Sequence, residues 1–379
     1  MNITPKDSSK RNILFSGYYG RFNTGDDAFC AVSAWGARHY WRVENIQFLC
    51  RHIPQLPVKA KAVLFARSFF RGQGLLELPV HLAKKPITIF AGGSVFHNKV
   101  AILSYKELIK QANRLRLTKL GGIGVSLGPY RTKNACNSIK DFLSRFSFLV
   151  LRDHRSYEEA CSMNLPFKPV KGFDLAALLP DLYGPAKCSE KIDDATNPVL
   201  GVSVCHYERY VRGEISNEKR REEQIIETLK MVSKSLRITI RFLVFNGHNK
   251  YGDRELTERI AGTLADYADI EIVPYSQNPV TMWHRIGECD AVLATRLHAG
   301  IYACFAEVPF LMVEYHPKCV DFLQDIRYPC HWRIGDMEVS VNELGSMLIS
   351  VLAKQTRPVL LDMGMFRARA RRNFSEVDI

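Results

Sequence analysis

Short apolar, β-rich runs alternate with longer amphipathic stretches along almost the whole chain, and that alternation admits few folds. Asn12–Ser16, Ala62–Phe65, Ile87–Ala91, Gly121–Ser126 and Phe148–Leu151 read as buried strands, most followed by glycine or polar residues. Lys99–Leu117 carries an apolar stripe of helical period opposite a basic face. The pattern breaks at Gly184–Pro198, a polar, proline-flanked stretch without periodicity. It then restarts with strands at Val199–Val204, Thr239–Phe245, Ile270–Val273, Ala291–Ala294 and Phe310–Val313. Helical patterns fill Glu218–Ser235, Asp253–Tyr267, Pro279–Cys289, Leu297–Ala306 and Val341–Ala353. Strands alternating with helices give parallel sheets covered on both faces. At 379 residues the chain exceeds one ordinary core, which stops growing at about 250–300 residues. The expected organisation is an α/β lobe over residues 1–184, a linker over 185–198, and a second α/β lobe over 199–340. A terminal helix and a tail with Arg367, Arg369, Arg371 and Arg372 follow over 341–379. Two such lobes facing each other would put a cleft between the carboxyl ends of their strands.

Charge narrows the partners. Fifty-two Lys and Arg against 39 Asp and Glu leave a net charge of +13, which calls for an anionic partner. Nucleic acid, an acidic membrane surface and a polyanionic small substrate all qualify. The 46% hydrophobic and 24% charged fractions exclude a disordered chain. No apolar run approaches the roughly 18 residues of a spanning helix, and no secretory signal is visible, so a cytoplasmic protein is expected. The ten cysteines form no C-x-x-C pair, which fits reduced thiols and gives no zinc site.

Five segments carry polar chemistry at expected strand ends. Gly17-Tyr-Tyr-Gly-Arg-Phe-Asn23-Thr-Gly25-Asp26-Asp27 is a turn leading into a helix. Its glycines would let backbone N–H groups approach an anion or a sugar, or else it is a strained turn with Asn23 or Thr24 as helix cap. Gly92 and Gly93 suit either a backbone-lined crevice or a tight turn. Arg152-Asp-His154 and Arg296-Leu-His298 each follow a strand, where arginine can hold a carboxylate or phosphate in two-pronged fashion and histidine can exchange a proton. Arg152 and Asp153 could equally pair with each other, and His154 reads as structural. Glu314-Tyr-His-Pro-Lys318 adds a lysine to the same edge of the second lobe. Dinucleotide, phosphate-loop, zinc-helix and nucleic-acid recognition motifs are missing.

In order, these segments resemble the polysaccharide pyruvyl transferase family. Gly17–Phe29 is similar to its G-Y-Y-G-x-x-N-x-G-D-[ED]-A box, and Ala91–Ser94 to its G-G-G-x segment with alanine for the first glycine. Leu151-Arg-Asp-His-Arg-Ser156 resembles [VL]-R-D-x-x-S, and Gly172-Phe-Asp174-Leu-Ala176 an aspartate box. Thr295–Ala299 with Val308-Pro309 and Tyr315–Lys318 is similar to the family's R-L-H … P … Y-x-x-K region.

The resemblance implies two Rossmann-like lobes of the glycosyltransferase-B type and transfer of pyruvate from phosphoenolpyruvate to a sugar as a ketal, with release of phosphate. On that footing, Arg296 and Arg152 are expected to clamp the donor with Lys318 as a third cation, and His298 to act as general acid or base. Asn23, Asp26 and Asp27, with Gly25, Gly92 and Gly93, would line the substrate side. No cofactor beyond the donor and no metal is implied. The acceptor would be a glycan of an exopolysaccharide or its lipid-linked precursor. Most of the charge, on the Lys99–Leu117 face and the C-terminal tail, would serve peripheral contact with the anionic inner face of a membrane. A glycosyltransferase of the same fold using a nucleotide sugar is the alternative.

Overall fold

In a computed structural model, the described residues are 11–186, 197–211, 213–336, 339–356, 358 and 363–379. Most of the expected linker, residues 187–196, lies outside them.

Where four or five apolar residues run together, the chain forms a strand buried on both faces, as parallel pairing between covering helices requires. In chain order the elements are β1 (Asn12–Ser16), α1 (Thr24–His39), β2 (Asn45–Phe48), β3 (Lys61–Ala62), α2 (Gln73–Leu82), β4 (Ile87–Phe96) and α3 (Tyr105–Arg114). They continue with β5 (Lys119–Leu127), α4 (Lys133–Leu143), β6 (Phe148–Leu151), α5 (His154–Ser162), β7 (Val170–Lys171) and α6 (Leu179–Tyr183). Then come β8 (Val199–Ser203), α7 (Glu208–Val211), α8 (Ile215–Ser235), β9 (Thr239–Leu243), α9 (Arg254–Leu264), β10 (Asp269–Val273), α10 (Pro279–Gly287) and β11 (Ala291–Ala294). The chain ends with α11 (Leu297–Phe305), β12 (Phe310–Glu314), α12 (Pro317–Asp325), β13 (Ile334–Gly335), α13 (Val341–Leu352) and α14 (Met363–Ser375).

The helix starts follow local chemistry. Ser104, Thr132 and Asp153 accept the N–H of Glu107, Ala135 and Ser156 at the heads of α3, α4 and α5. Ser340 and Glu343 form a reciprocal capping box on α13.

Contacts divide the chain into two units. Met1–Arg21, Asp26–Leu178 and Gly364–Ile379 make the first; Phe22–Gly25 and Leu179–Met363 make the second. The first holds a parallel sheet of order β3-β2-β1-β4-β5-β6-β7, and the second one of order β10-β9-β8-β11-β12-β13. Both are Rossmann-like. In each, the strand order reverses beside the first strand, between β1 and β4 and between β8 and β11, where open α/β sheets bind ligands beyond the strands' carboxyl ends. The first core is rich in aromatics, with Phe142 packed edge-on to Phe90 (5.5 Å) and Phe146 (5.3 Å). In the second, buried Tyr302 meets Phe245 edge-on at 5.6 Å.

Several expectations change. The strand at Ala62–Phe65 shrinks to Lys61–Ala62, and the helix at Lys99–Leu117 to Tyr105–Arg114, because Ser104 caps it. Its basic face is only partly open. Lys106 lies over the Phe96 ring at 5.5 Å and donates to the Val95 carbonyl, and Lys110 pairs with Asp141 at 2.6 Å. Burial lowers the Lys106 ammonium pKa to about 8.

The arginine-rich tail is likewise a packed helix of the first unit rather than a loose basic end. Phe366, Ala370 and Phe374 are buried, and Trp41 donates to the Phe374 carbonyl at 2.9 Å. Arg369 lies over the Phe173 ring at 5.2 Å and donates to the Gly172 carbonyl at 3.1 Å.

Candidate functional site

The second unit gathers the site. Its β11 ends at Ala294, and the chain turns at once into α11, with Arg296 at the cap position and His298 in the first turn. The turn is pinned by the Ser203 hydroxyl at the end of β8, which accepts the Arg296 N–H at 3.2 Å. The Arg296 guanidinium is gripped from one side. Its Nε donates to Asp253 Oδ2 at 3.0 Å and its Nη2 to Asp253 Oδ1, a two-pronged pair that leaves Nη1 outside the grip.

Asp253 is fully buried, and the same carboxylate accepts the Asn246 N–H at 3.0 Å. Burial pushes its carboxyl up from the ordinary range, against the pull of the Arg296 charge. Burial likewise opposes the Arg296 charge, and Asp253 more than restores it, holding the guanidinium cationic. An arginine fixed in this way is an oriented cation at a helix N-terminus, where the dipole also favours anions.

Residues Phe22–Gly25, from the N-terminal glycine-rich turn, are stitched onto the same edge. Asn23 bridges Asn246 in antiparallel fashion, the Thr24 N–H donates to the Phe245 carbonyl at 2.9 Å, and the Gly247 N–H to that of Phe22 at 2.8 Å. A Cβ on Gly25 would fall inside the His298 ring. That close approach is why glycine stands there, and it brings two sequence boxes more than 270 residues apart into direct contact. The Asn23 Oδ1 accepts the Gly25 N–H at 3.0 Å, so this side chain caps α1. At the end of β12, the His316 Nδ1 accepts the Lys318 N–H at 3.1 Å, which sets half-buried Lys318 in the first turn of α12.

The first unit treats its arginine differently. Arg152, 7% exposed, donates from Nε to Ser126 Oγ (2.6 Å), from Nη1 to Asp174 Oδ2 (3.1 Å) and from Nη2 to Ser94 Oγ (3.4 Å). Ser126 in turn donates to Asp153 at 2.5 Å, whose other oxygen caps α5. This is a buried network satisfied on every side. His154 stands exposed beside Glu158 (3.1 Å) and Lys171 (3.1 Å), as a surface residue.

Gly92 and Gly93 both take left-handed backbone angles, with φ of 71° and 76°. A Cβ on Gly92 would strike Phe29 of α1, whereas one on Gly93 would lie 3.9 Å from Asp26 Oδ1. Half-buried Asp26 therefore faces a glycine-lined surface, while Asp27 is 2% exposed and sits within the packing of α1.

The sequence-predicted residues thus divide between the units: Arg296, His298, Lys318, Gly25 and Asn23, the cap of α1, in the second, and Arg152, Gly92, Gly93, Asp26 and Asp27 in the first. Asp253 and Ser203 were not singled out from sequence. The available signal was an aspartate just after the Tyr251-Gly252 turn at the head of α9; that its side chain leaves the cap position unused is visible only in the structure.

A family model described as polysaccharide pyruvyl transferase matches residues 23–317, more than three-quarters of the chain. No curated protein sequence matches. Among solved structures, the chain is similar to UDP-GlcNAc 2-epimerase from Methanocaldococcus jannaschii, with a TM-score of 0.57 and 12% identity over 95% of this chain and 98% of that one. It is also similar to UDP-GlcNAc 2-epimerase from Neisseria meningitidis bound to UDP-GlcNAc, with a TM-score of 0.56 and 10% identity over 96% of each chain. At such identity the likeness establishes the fold, two Rossmann-like α/β domains of the glycosyltransferase-B type.

Proposed function

The chain belongs to the polysaccharide pyruvyl transferase family, and from that premise we propose that it transfers pyruvate from phosphoenolpyruvate to a sugar of an exopolysaccharide or its lipid-linked precursor, closing a cyclic ketal. One observation carries the reading: Gly25, His298, Arg296 and Asp253 converge on one sheet edge at the N-terminus of α11. Phosphoenolpyruvate is a small polyanion with a carboxylate and a phosphate. The oriented Arg296 and the N–H groups of the first turn of α11 suit one of these groups, and Lys318 at α12 suits the other.

In the reaction, a proton is delivered to the enol methylene carbon, and the neighbouring carbon becomes oxocarbenium-like. Two sugar hydroxyls add to that carbon, each giving up its proton, and the C–O bond to phosphate breaks. His298 is the proton carrier, a role worth typically 10²–10⁴-fold. Arg296 stabilises the departing phosphate. The donor itself is the only small molecule this chemistry needs.

Incubation of the purified protein with phosphoenolpyruvate and a panel of lipid-linked or synthetic glycosides tests the reading. Phosphate release matched by a pyruvyl mass on one glycoside supports it. Thermal protection by UDP-N-acetylglucosamine and none by phosphoenolpyruvate would favour a nucleotide-sugar enzyme, the ligand class named for the fold's solved relatives.

A further inference from the structure

The first unit carries an apolar and basic surface with no part in the site described above. Phe69 and Phe70 in the loop before α2, Leu76 and Val80 on α2, and Ile102 and Leu103 before α3 are between 53% and 86% exposed. Two contacts tie the loop and the turn before α3 to α2. The Phe69 N–H donates to Gln73 Oε1 at 2.7 Å, tying the loop to the head of α2. Leu76 and Val80 lie one turn apart on α2. Tyr105, two residues past Leu103, packs against Gly74 in the first turn of α2, where a Cβ would meet its hydroxyl. Exposed large side chains are ordinary when scattered, but a contiguous group marks a contact surface.

Charge identifies the partner. Residues 51–103 hold eight Lys and Arg and a single acid, Glu77. That acid is turned inward, accepting the Phe65 N–H at 2.9 Å and the Gln73 amide at 2.5 Å. Arg67 and Arg71 bracket the phenylalanine pair, and Lys84 and Lys85 close α2; all four are exposed. A surface that is apolar at its tips and cationic around them complements the acyl boundary and the headgroups of an anionic bilayer. A second copy of the chain would bring the same positive excess against itself. Nucleic acid would use stacking platforms, which Phe69 and Phe70 could supply but the larger aliphatic share of the surface, Leu76, Val80, Ile102 and Leu103, cannot, and such aliphatic tips favour the bilayer.

We propose that the loop Phe65–Arg71, the outer face of α2 and Ile102–Leu103 form a docking surface that inserts shallowly into an anionic membrane. The chain would thereby be held where lipid-linked glycans are found. The surface takes Ile102 and Leu103 from the turn before α3 and does not use the basic residues of α3 or of the C-terminal helix. It is also independent of the catalytic reading, because docking is measured without phosphoenolpyruvate and either can fail alone.

The test is sedimentation of the full chain with vesicles of phosphatidylglycerol and phosphatidylcholine in equal parts, and with phosphatidylcholine alone. Binding to the first and not the second is expected. Phe69→Ser/Phe70→Ser/Ile102→Ser/Leu103→Ser should lower partition at least about tenfold with an unchanged melting temperature, since these side chains face solvent. Arg67→Gln/Arg71→Gln should lower it roughly fivefold per charge at low salt, and Arg372→Gln should leave it unaltered. Absence of binding to anionic vesicles, equal binding to phosphatidylcholine, or undiminished binding by the serine variant would overturn the proposal. Binding to a single-stranded RNA probe in place of vesicles would do the same.

Discussion

Arg152 and Arg296 begin from the same pattern, an arginine within two residues of the end of a four-residue apolar strand and two residues before a histidine, and their surroundings differ. Arg152 is enclosed by Ser126, Asp174 and Ser94, so its charge is fully absorbed inside the first unit. Arg296 is held by one carboxylate through two of its three nitrogens, with the third outside the grip and His298 in the next turn. The number of built-in acceptors separates a buried cation that braces a fold from one that presents charge. Lys106 is a third case, buried against a ring and a carbonyl with no carboxylate among its recorded partners.

That comparison can be broken at either end. The largest effect is expected at the second unit. Arg296→Ala and His298→Ala should each lower turnover per folded molecule at least 10²- to 10³-fold, read by phosphate release with the folded fraction set by circular dichroism, and Arg296→Ala should also lose stability because Asp253 is left buried without its cation. Retained turnover in both would remove the site. Gly25→Ala should reduce turnover by a comparable factor, because the added methyl displaces the His298 ring. Full turnover in Gly25→Ala would show that the His298 ring does not depend on this close approach.

At the first unit the loss should fall on stability. Arg152→Ala leaves Asp174 buried without its cation and is expected to cost about 3–5 kcal/mol in denaturant unfolding, with turnover per folded molecule little changed. A variant as stable as the parent but inactive would reverse the roles given to the two arginines. Asp253→Asn, which weakens the grip on Arg296 but keeps its shape, should raise the KM for phosphoenolpyruvate about tenfold and move kcat less.

The smallest effect belongs to Lys106. Its folded-state pKa, lowered to about 8 by burial, lies below the unfolded value. Between about pH 8 and 10.5 the unfolded chain therefore holds the extra proton, and this residue's contribution makes stability rise with pH. Lys106→Met should be more stable than the parent at pH 7 by on the order of 1–2 kcal/mol, and the gap should close toward pH 10.5. A gap that is constant across that range would show that the lysine is not held in a desolvated state.

Much of this was legible in the sequence. Phe148–Leu151 and Ala291–Ala294 were readable because parallel strands covered on both faces are unbroken apolar runs. β2, β7 and β13 were not, since they are two to four residues long at or near sheet edges and half polar. Both arginines could be found from strand ends, but their partners could not. Asp174 lies 22 residues from Arg152 and Asp253 lies 43 from Arg296, and no local pattern links such distances. The Lys110–Asp141 pair and the packing of α14 on Trp41 escaped for the same reason, so charge that reads as a free face is in part internal. The contact between Gly25 and His298 could be inferred only as two boxes of one family, because nothing in either segment announces the other.

Calorimetric titration of phosphoenolpyruvate into the parent protein and into Arg296→Gln tests the central claim most directly. Saturable binding by the parent, weakened at least tenfold in Arg296→Gln at a temperature where both proteins are folded, is the predicted result. Equal binding by the two proteins would contradict the assignment of the donor to the edge built by Arg296, Asp253 and His298.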